Sequence, residues 1–370
     1  MPVLDPKKLL HNRVQAIRKY HIETGLGRAE LDLSGGVDSA VMLGLLVQAL
    51  GAENVTTAYQ GINSSPESLE AAREVAKTFD VKLIEVDLTE IYESLVDTML
   101  AGIEAAYGES DPIIRVRLHE KALADPTILG SIRSCLRAPV GRGFNRMMGG
   151  GIRHGTGNEC EDRWLRYYQK GGDGEVDTNP LAMLSKGEVY QLALALGVPK
   201  DIINTKPTAD LWGTSNPMTD ESELANYFGF DAQEYGQTFY SYIDTETGAY
   251  TSVGLIERVS RWLDAEAGSG ASADPRCRTT TMFTQEEWLF DEPGVRARFE
   301  DIMAYHMDGP RGPKNNPFKG IPTKLVNKLL TAARRIERQT RHKMNPNIPT
   351  MGTRADLVKA GILTDTLPEI

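Results

Sequence analysis

At 370 residues, with 41% hydrophobic and 25% charged side chains, the chain is long enough for one large α/β domain with an appendage or for two domains. No apolar run reaches the ~20 residues of a membrane span, and a formal net charge of −10 argues against gross nucleic-acid binding. The three cysteines, Cys135, Cys160 and Cys277, are odd in number and lack C-x-x-C spacing, which argues against both a disulfide framework and a zinc site.

The opening "MPVLDPKKLLHNRVQAIRKY" alternates basic residues with leucines in a helical period and has no apolar signal core, so the expected address is the cytoplasm. Apolar spacing predicts a helix over 5–20, a strand over 28–33, a helix over 38–50, a strand over 54–60, a helix over 66–79 and a strand over 81–87. That βαβαβ order is the habit of a doubly wound parallel sheet in an α/β fold. Helices follow over 89–107 and 116–137, the second expected to stop at Pro139. "GGGIRHGTGNE" reads as a short strand ending in a glycine corner, and 185–205 as a helix with a short second one.

Beyond residue 225 the character changes. A dense aromatic run over 227–250 reads as core or interface. Residues 264–276 and 306–322 read as linkers rich in Gly and Pro, with helices over 284–305 and 323–343. The expected division is a core over 1–225, a mostly helical insertion over 226–330, and a C-terminal segment over 331–370 that returns to the active site.

The stretch "AELDLSGGVDSAVML" passes from a strand through Ser34-Gly35-Gly36 directly into an apolar helix. Such a corner aims unpaired N–H groups and the positive end of a helix dipole at one spot, and its glycines let an anion approach the backbone. No lysine follows, so this is not the loop of γ-phosphoryl transfer. Asp38 beside the anion would repel phosphate unless Mg²⁺ bridged the two, so the residue set points to a metal-chelated pyrophosphate. The competing reading is tight packing, with Asp38 as a partner of the helix dipole.

Ser34-Gly35-Gly36-Val37-Asp38-Ser39 resembles the S-G-G-x-D-S loop of the N-type ATP pyrophosphatases, which split ATP into AMP and pyrophosphate to activate a carbonyl oxygen. The middle of the chain narrows the choice. "HGTGNECEDRWLRYYQKGGDGEVDTNPLAMLSKGEVYQLALALGVPKDIINTKPTADLW" (154–212), "MTDESEL" (218–224) and "HKMNPNIP" (342–349) resemble, in the same order, motifs of the ammonia-dependent NAD synthetases. The resemblance covers 28–225 and 335–350, and it implies an adenine nucleotide alpha-hydrolase-like, Rossmann-type fold.

It also implies an activity: ATP-dependent amidation of deamido-NAD to NAD through an acyl-adenylate, with ammonia as nitrogen donor, ATP and Mg²⁺ required, and a homodimer as the working unit. Asp38, Asp173 and Lys186 become the catalytic candidates. Ser34, Gly35, Gly36, Ser39, Arg137, Thr156 and Thr208 join Asp38 and Lys186 around ATP and pyrophosphate. Arg133, Asn158, Lys170, Asp173, Asp177, His342 and Lys343 fall on the substrate side. Asp38 and Glu161 become the metal ligands, although one residue more than the family pattern lies between Asn158 and Gln169, which leaves Asp162 as an alternative to Glu161.

Three departures from the family pattern sit on the acid-substrate side. "SIRSCLR" (131–137) keeps Arg133 and Arg137 but carries Cys135 in place of an arginine, and "QKGGDGE" (169–175) carries Gln169 for threonine and Glu175 for glycine. They keep open a relative that adenylates a different carboxylate or uses a different amine. A reading from another class, RNA binding through the basic 323–343 helix, is opposed by the acidic net charge. The 33 residues before Ser34 leave no room for a glutaminase domain, so ammonia, another small amine or a separate partner is expected to supply nitrogen.

Overall fold

The computed structural model describes residues 5–107, 120, 126–159, 161–162, 168–206, 208, 242–248, 250–252, 331 and 354–363. Four parallel strands form the central sheet in the order β3-β2-β1-β4, where β1 is Ala29–Asp32, β2 Val55–Gly61, β3 Leu83–Asp87 and β4 Ile152–Arg153. Ala29 pairs with Val55 on one side and Ile152 on the other, which puts β1 at the centre. Helices cover both faces, as a parallel sheet requires.

Helix α1 (Pro6–Thr24) opens on Asp5, whose carboxylate accepts the N–H groups of Lys7 (3.0 Å) and Lys8 (3.2 Å), with Pro6 filling the first turn. It packs with α2 (Val37–Leu50) and α6 (Lys186–Leu196) on one face of the sheet. Leu31, Leu33, Leu43, Leu45 and Leu46 are fully or almost fully buried there, each stabilising the fold by roughly 1.5–3 kcal/mol. Helix α3 (Pro66–Thr78) joins the same core through Ala72 and Val75. On the opposite face lie α4 (Thr89–Tyr107) and α5 (Pro126–Met147), where Leu129, Ile132, Leu136 and Val140 pack over Ile62, Leu88 and Tyr92.

The expected stop at Pro139 is not observed: α5 runs through it to Met147. A proline costs the helix one N–H bond, but the following turns are tied down by tertiary contacts. Arg142 grips Asp177, Asn145 Nδ2 donates to the Gly151 carbonyl at 3.0 Å, and Ala138 is buried. Past α6 and the short α7 (Lys200–Asn204), a hairpin of β5 (Tyr242–Ile243) and β6 (Tyr250–Ser252) follows, with Ile243 in the main core. Helix α8 (Arg354–Lys359) and the residues after it add Leu357, Ile362 and Leu363 to that same core. The aromatic run outside these strands, the linkers, and the helices expected over 284–305 and 323–343 lie outside the described residues, Thr331 excepted. No helix among the described residues is long and apolar enough to cross a membrane.

Two histidines lock α1 to β4. Their rings stack at 5.3 Å with Nε2 atoms 3.0 Å apart, and His21 Nδ1 lies 2.6 Å from the Leu26 carbonyl, which only accepts. His21 therefore carries its proton on Nδ1, His154 donates from Nε2, and His154 Nδ1 is left buried without a partner among the described residues. Burial and the neighbouring His21 hold His154 down to about 3. The unfolded chain thus takes up a proton near pH 6.5 that the folded chain refuses, so the stability His154 contributes is present above about pH 6.5 and lost progressively as pH falls toward 3. We expect the unfolding-temperature gap between the native chain and His154→Gln to shrink as pH falls from 7 to 4. A gap constant over that range would contradict the buried neutral pair.

Candidate active site

The Ser34-Gly35-Gly36 corner sits where β1 delivers the chain to α2. Gly35 has φ +85°, and a Cβ there would come within 2.5 Å of the Ser68 carbonyl and 3.0 Å of Ala72 N. Only glycine fits that conformation so close to α3. The two serines brace the corner: Ser39 Oγ donates to the Gly36 carbonyl (2.9 Å), Ser34 Oγ lies 3.1 Å from Ser39 Oγ, and the Gly36 N–H donates to Ser34 Oγ (3.3 Å). No side chain caps the start of α2, so its first N–H groups face the corner as an anion site.

Asp38, in that first turn, meets residues from two later elements. Lys186 Nζ, at the first position of α6, lies 2.5 Å from Asp38 Oδ2 and 3.4 Å from Glu161 Oε1. Asn158, fully buried, braces both carboxylates: its Nδ2 donates to Asp38 Oδ1 (3.3 Å), its N–H to Glu161 Oε2 (3.4 Å), and its Oδ1 accepts the Glu161 N–H (3.3 Å). Two carboxylates from distant parts of the chain thus face one cation. Among the described residues no group of three or more His, Cys, Asp and Glu side chains is arranged to hold a metal ion alone. Two carboxylates suit Mg²⁺, which binds through one or two of them and completes its shell with phosphate oxygens and water.

Asp162 faces elsewhere. Its Oδ2 accepts from Asn179 Nδ2 (2.5 Å), and its carboxylate lies against Gly157, where a Cβ would overlap it. Burial, then the charges of Glu161 and Asp173, push its carboxyl well above the usual carboxylate range. Glu161, not Asp162, is the residue turned toward Lys186 and Asp38.

Asp173 closes the other side. Its Oδ1 accepts from Ser134 Oγ on α5 (2.7 Å) and from the Gln169 N–H (2.8 Å), while Oδ2 has no partner among the described residues. Asp173 is exposed, and Lys170 beside it is exposed as well. Arg133 is buried with its guanidinium 5.3 Å from the centre of the Tyr92 ring, and Arg137 Nε donates to the Gln60 carbonyl at 3.0 Å. Asp177 is gripped by Arg142 Nη1 at 2.8 Å to each oxygen and by the Arg153 N–H at 2.8 Å. Gly155 donates to the Thr178 carbonyl, Thr156 is partly exposed, and Thr208 is exposed. His342 and Lys343 lie outside the described residues.

Sequence reasoning missed a buried ionic group beneath this site. Arg153 donates to both oxygens of Glu30 (2.7 Å each) and to Asp32 (2.5 Å), and Gln60 Nε2 donates to Asp32 at 2.6 Å. Burial and the Asp32 carboxylate raise Glu30 to about 8, against the pull of Arg153. The available signal was Glu30 and Asp32 alternating with leucines in a central strand.

The profile of the NAD synthase family matches residues 9–246. The chain belongs to the NAD synthase family. It is 33% identical over 202 residues to the NH(3)-dependent NAD(+) synthetase of Methanococcoides burtonii, covering 54% of this chain and 68% of that one. The NH(3)-dependent NAD(+) synthetase of Archaeoglobus fulgidus is 35% identical over 223 residues, 59% of this chain and 78% of its own. That of Methanopyrus kandleri is 32% identical over 253 residues, 68% and 79%. In fold, this NAD synthase family member resembles the NMN synthetase of Francisella tularensis, with a TM-score of 0.50 at 24% identity over 62% of this chain and 84% of that one.

Proposed function

We infer that this chain is a carbon–nitrogen ligase that amidates deamido-NAD to NAD with ammonia, with ATP as a substrate. Relatives named NH(3)-dependent NAD(+) synthetase support that acid and that amine over others. The observation that carries the chemistry is the convergence of Asp38 and Glu161 on the Lys186 ammonium beside the open end of α2. Hydroxide is too poor a leaving group for direct amidation. The carboxylate therefore attacks the α-phosphorus, forms an acyl-adenylate and releases pyrophosphate, and ammonia then displaces AMP.

In this reading the uncapped N–H groups of the first turn of α2, beside the Gly35-Gly36 corner, and the hydroxyls of Ser34 and Ser39 receive the phosphates, with Arg137, Thr156 and Thr208 around the same nucleotide. Asp38 and Glu161 would hold Mg²⁺, which when bound would supply positive charge against the departing pyrophosphate. Lys186 supplies a second positive charge at that position, and Asn158 keeps both carboxylates aimed. Arg133, Lys170, His342 and Lys343 serve the acid substrate. Asp177, engaged by Arg142, serves it by fixing the loop. Asp173 takes a proton from the incoming ammonium, since the attacking species must be NH₃.

The proposal also comprises a catalytic core over 1–225 with an insertion over 226–330, a cytoplasmic enzyme and a homodimer. Exposed Ile91, Leu95 and Met99, four residues apart on α4, support the last of these. The test is to incubate the protein with ATP, deamido-NAD and ammonium and to separate the products. AMP and pyrophosphate should appear in step with NAD; ADP as the main nucleotide product overturns the reading.

A further inference from the structure

The cluster of buried Arg153 and Glu30 with half-buried Asp32 calls for an explanation that stability does not supply. Glu30 is fully buried and Arg153 nearly so, on strands covered by helices on both faces. Apolar side chains of similar volume would do as well there, because removing two charges from water costs about what their pairing returns. The α5 helix is shaped around this one side chain: a Cβ at Gly141 would overlap the Arg153 guanidinium, which the two acids prevent from moving aside.

The remaining donors of Arg153 lead to the loop that carries Asp173. Its Nε donates to the Glu175 carbonyl at 3.1 Å, and its main-chain N–H donates to Asp177 at 2.8 Å. The Asp177 N–H returns a bond to the Arg153 carbonyl at 2.9 Å, and His154 bridges Thr178 as a single parallel pair. Arg142 grips Asp177 and Glu175 from α5, at 2.8 and 3.2 Å. Upstream, Ser134 and the Gln169 N–H hold Asp173 itself. The 169–178 loop is thus pinned to α5 at Ser134 and Arg142 and to the sheet edge by Arg153 at Glu175 and Asp177, with His154 and Gly155 pairing Thr178 at the end of the loop.

We propose that Arg153 is a positioning residue for the amine step: held by Glu30 and Asp32 on the strand that ends in the phosphate corner, it sets the 169–178 loop so that Asp173 faces the adenylate carbonyl carbon. The proposal rests on the reading of Asp173 as the group that serves ammonia. A guanidinium is needed because its planar fork reaches two acids and a carbonyl in three directions at once. A lysine keeps the charge that Glu30 and Asp32 require but cannot reach the Glu175 carbonyl as well.

The test is the rate of amide formation relative to that of pyrophosphate release within a single turnover, before discharge of the adenylate limits the second round, measured for the native chain, Arg153→Lys and Asp173→Asn at saturating ATP and deamido-NAD. A displacement of about 1 Å at a reacting centre is worth up to about 10²-fold. Arg153→Lys should lower that ratio by about 10-fold or more and raise the KM for ammonia, while pyrophosphate release stays within about 3-fold of native. The double variant Glu30→Gln/Arg153→Gln, which removes one acid together with the cation, should behave the same way if Arg153→Lys proves unstable. Equal losses in both half-reactions, or a lower unfolding temperature with an unchanged ratio, would overturn the proposal and leave Arg153 a packing element. If Asp173→Asn moves the ratio and the Arg153 variants do not, the Arg153 proposal alone fails. If Asp173→Asn leaves the ratio unchanged, the reading of Asp173 fails and this proposal with it.

Discussion

Asp38→Asn should slow pyrophosphate release by about 10³-fold in a chain that still folds. The magnitude follows from what the carboxylate does: neutralising charge as it develops on a leaving phosphate is worth several kcal/mol, and each 1.4 kcal/mol is tenfold in rate. An amide keeps the shape and one acceptor oxygen but loses the charge that makes Asp38 a ligand for a hard cation. The fold survives because Lys186 keeps Glu161 as a charge partner and the apolar positions of α2 are untouched. Pyrophosphate release is measured beside a thermal unfolding curve. Near-native release in Asp38→Asn would move the metal position elsewhere.

Asp173→Asn should separate the half-reactions. Asp38, Glu161 and Lys186 form one cluster and Asp173 sits apart from it on the 169–178 loop, so adenylation should continue while transfer to ammonia slows by about 10²–10⁴-fold, the scale of a positioned base. The defect should shrink as pH rises from about 7 to 9.5. More of the ammonia is then already NH₃, and a group whose work is to receive its proton becomes less necessary. A residue that only shapes the turn would give the same deficit at every pH. Parallel single-turnover assays of amide and pyrophosphate across that range decide the matter, and equal losses in both, flat with pH, return Asp173 to turn chemistry.

The helices and strands over 5–107 were legible because each carries a clean apolar period bounded by Asp, Ser, Pro or Gly. The passage through Pro139 was not, because contacts made by Arg142 and Asn145 with distant residues decide it. The same limit applied to the site. Lys186 meets Asp38 across 148 residues of sequence, and only the resemblance of the surrounding motifs brought them together beforehand. Glu30 and Asp32 alternate with Leu31 and Leu33, the pattern of a strand with one wet face. The burial of Glu30 depends on α5 covering that face and on Arg153 arriving from 123 residues away, neither of which is written in the strand itself. Asn158 carried a substrate role in the motif, whereas its buried side chain braces Asp38 and Glu161.

The central claim is that the acid is activated by transfer to the α-phosphorus of ATP at the Asp38–Glu161–Lys186 cluster. The most direct measurement uses deamido-NAD labelled with ¹⁸O in its carboxylate, together with ATP and ammonium, and the mass of each phosphorus product. An acyl-adenylate puts one ¹⁸O into AMP and none into pyrophosphate, since the carboxylate oxygen that attacks phosphorus leaves with AMP when ammonia displaces it. ADP alongside labelled inorganic phosphate, as attack on the γ-phosphorus and an acyl-phosphate would give, or ¹⁸O in pyrophosphate, would contradict the account.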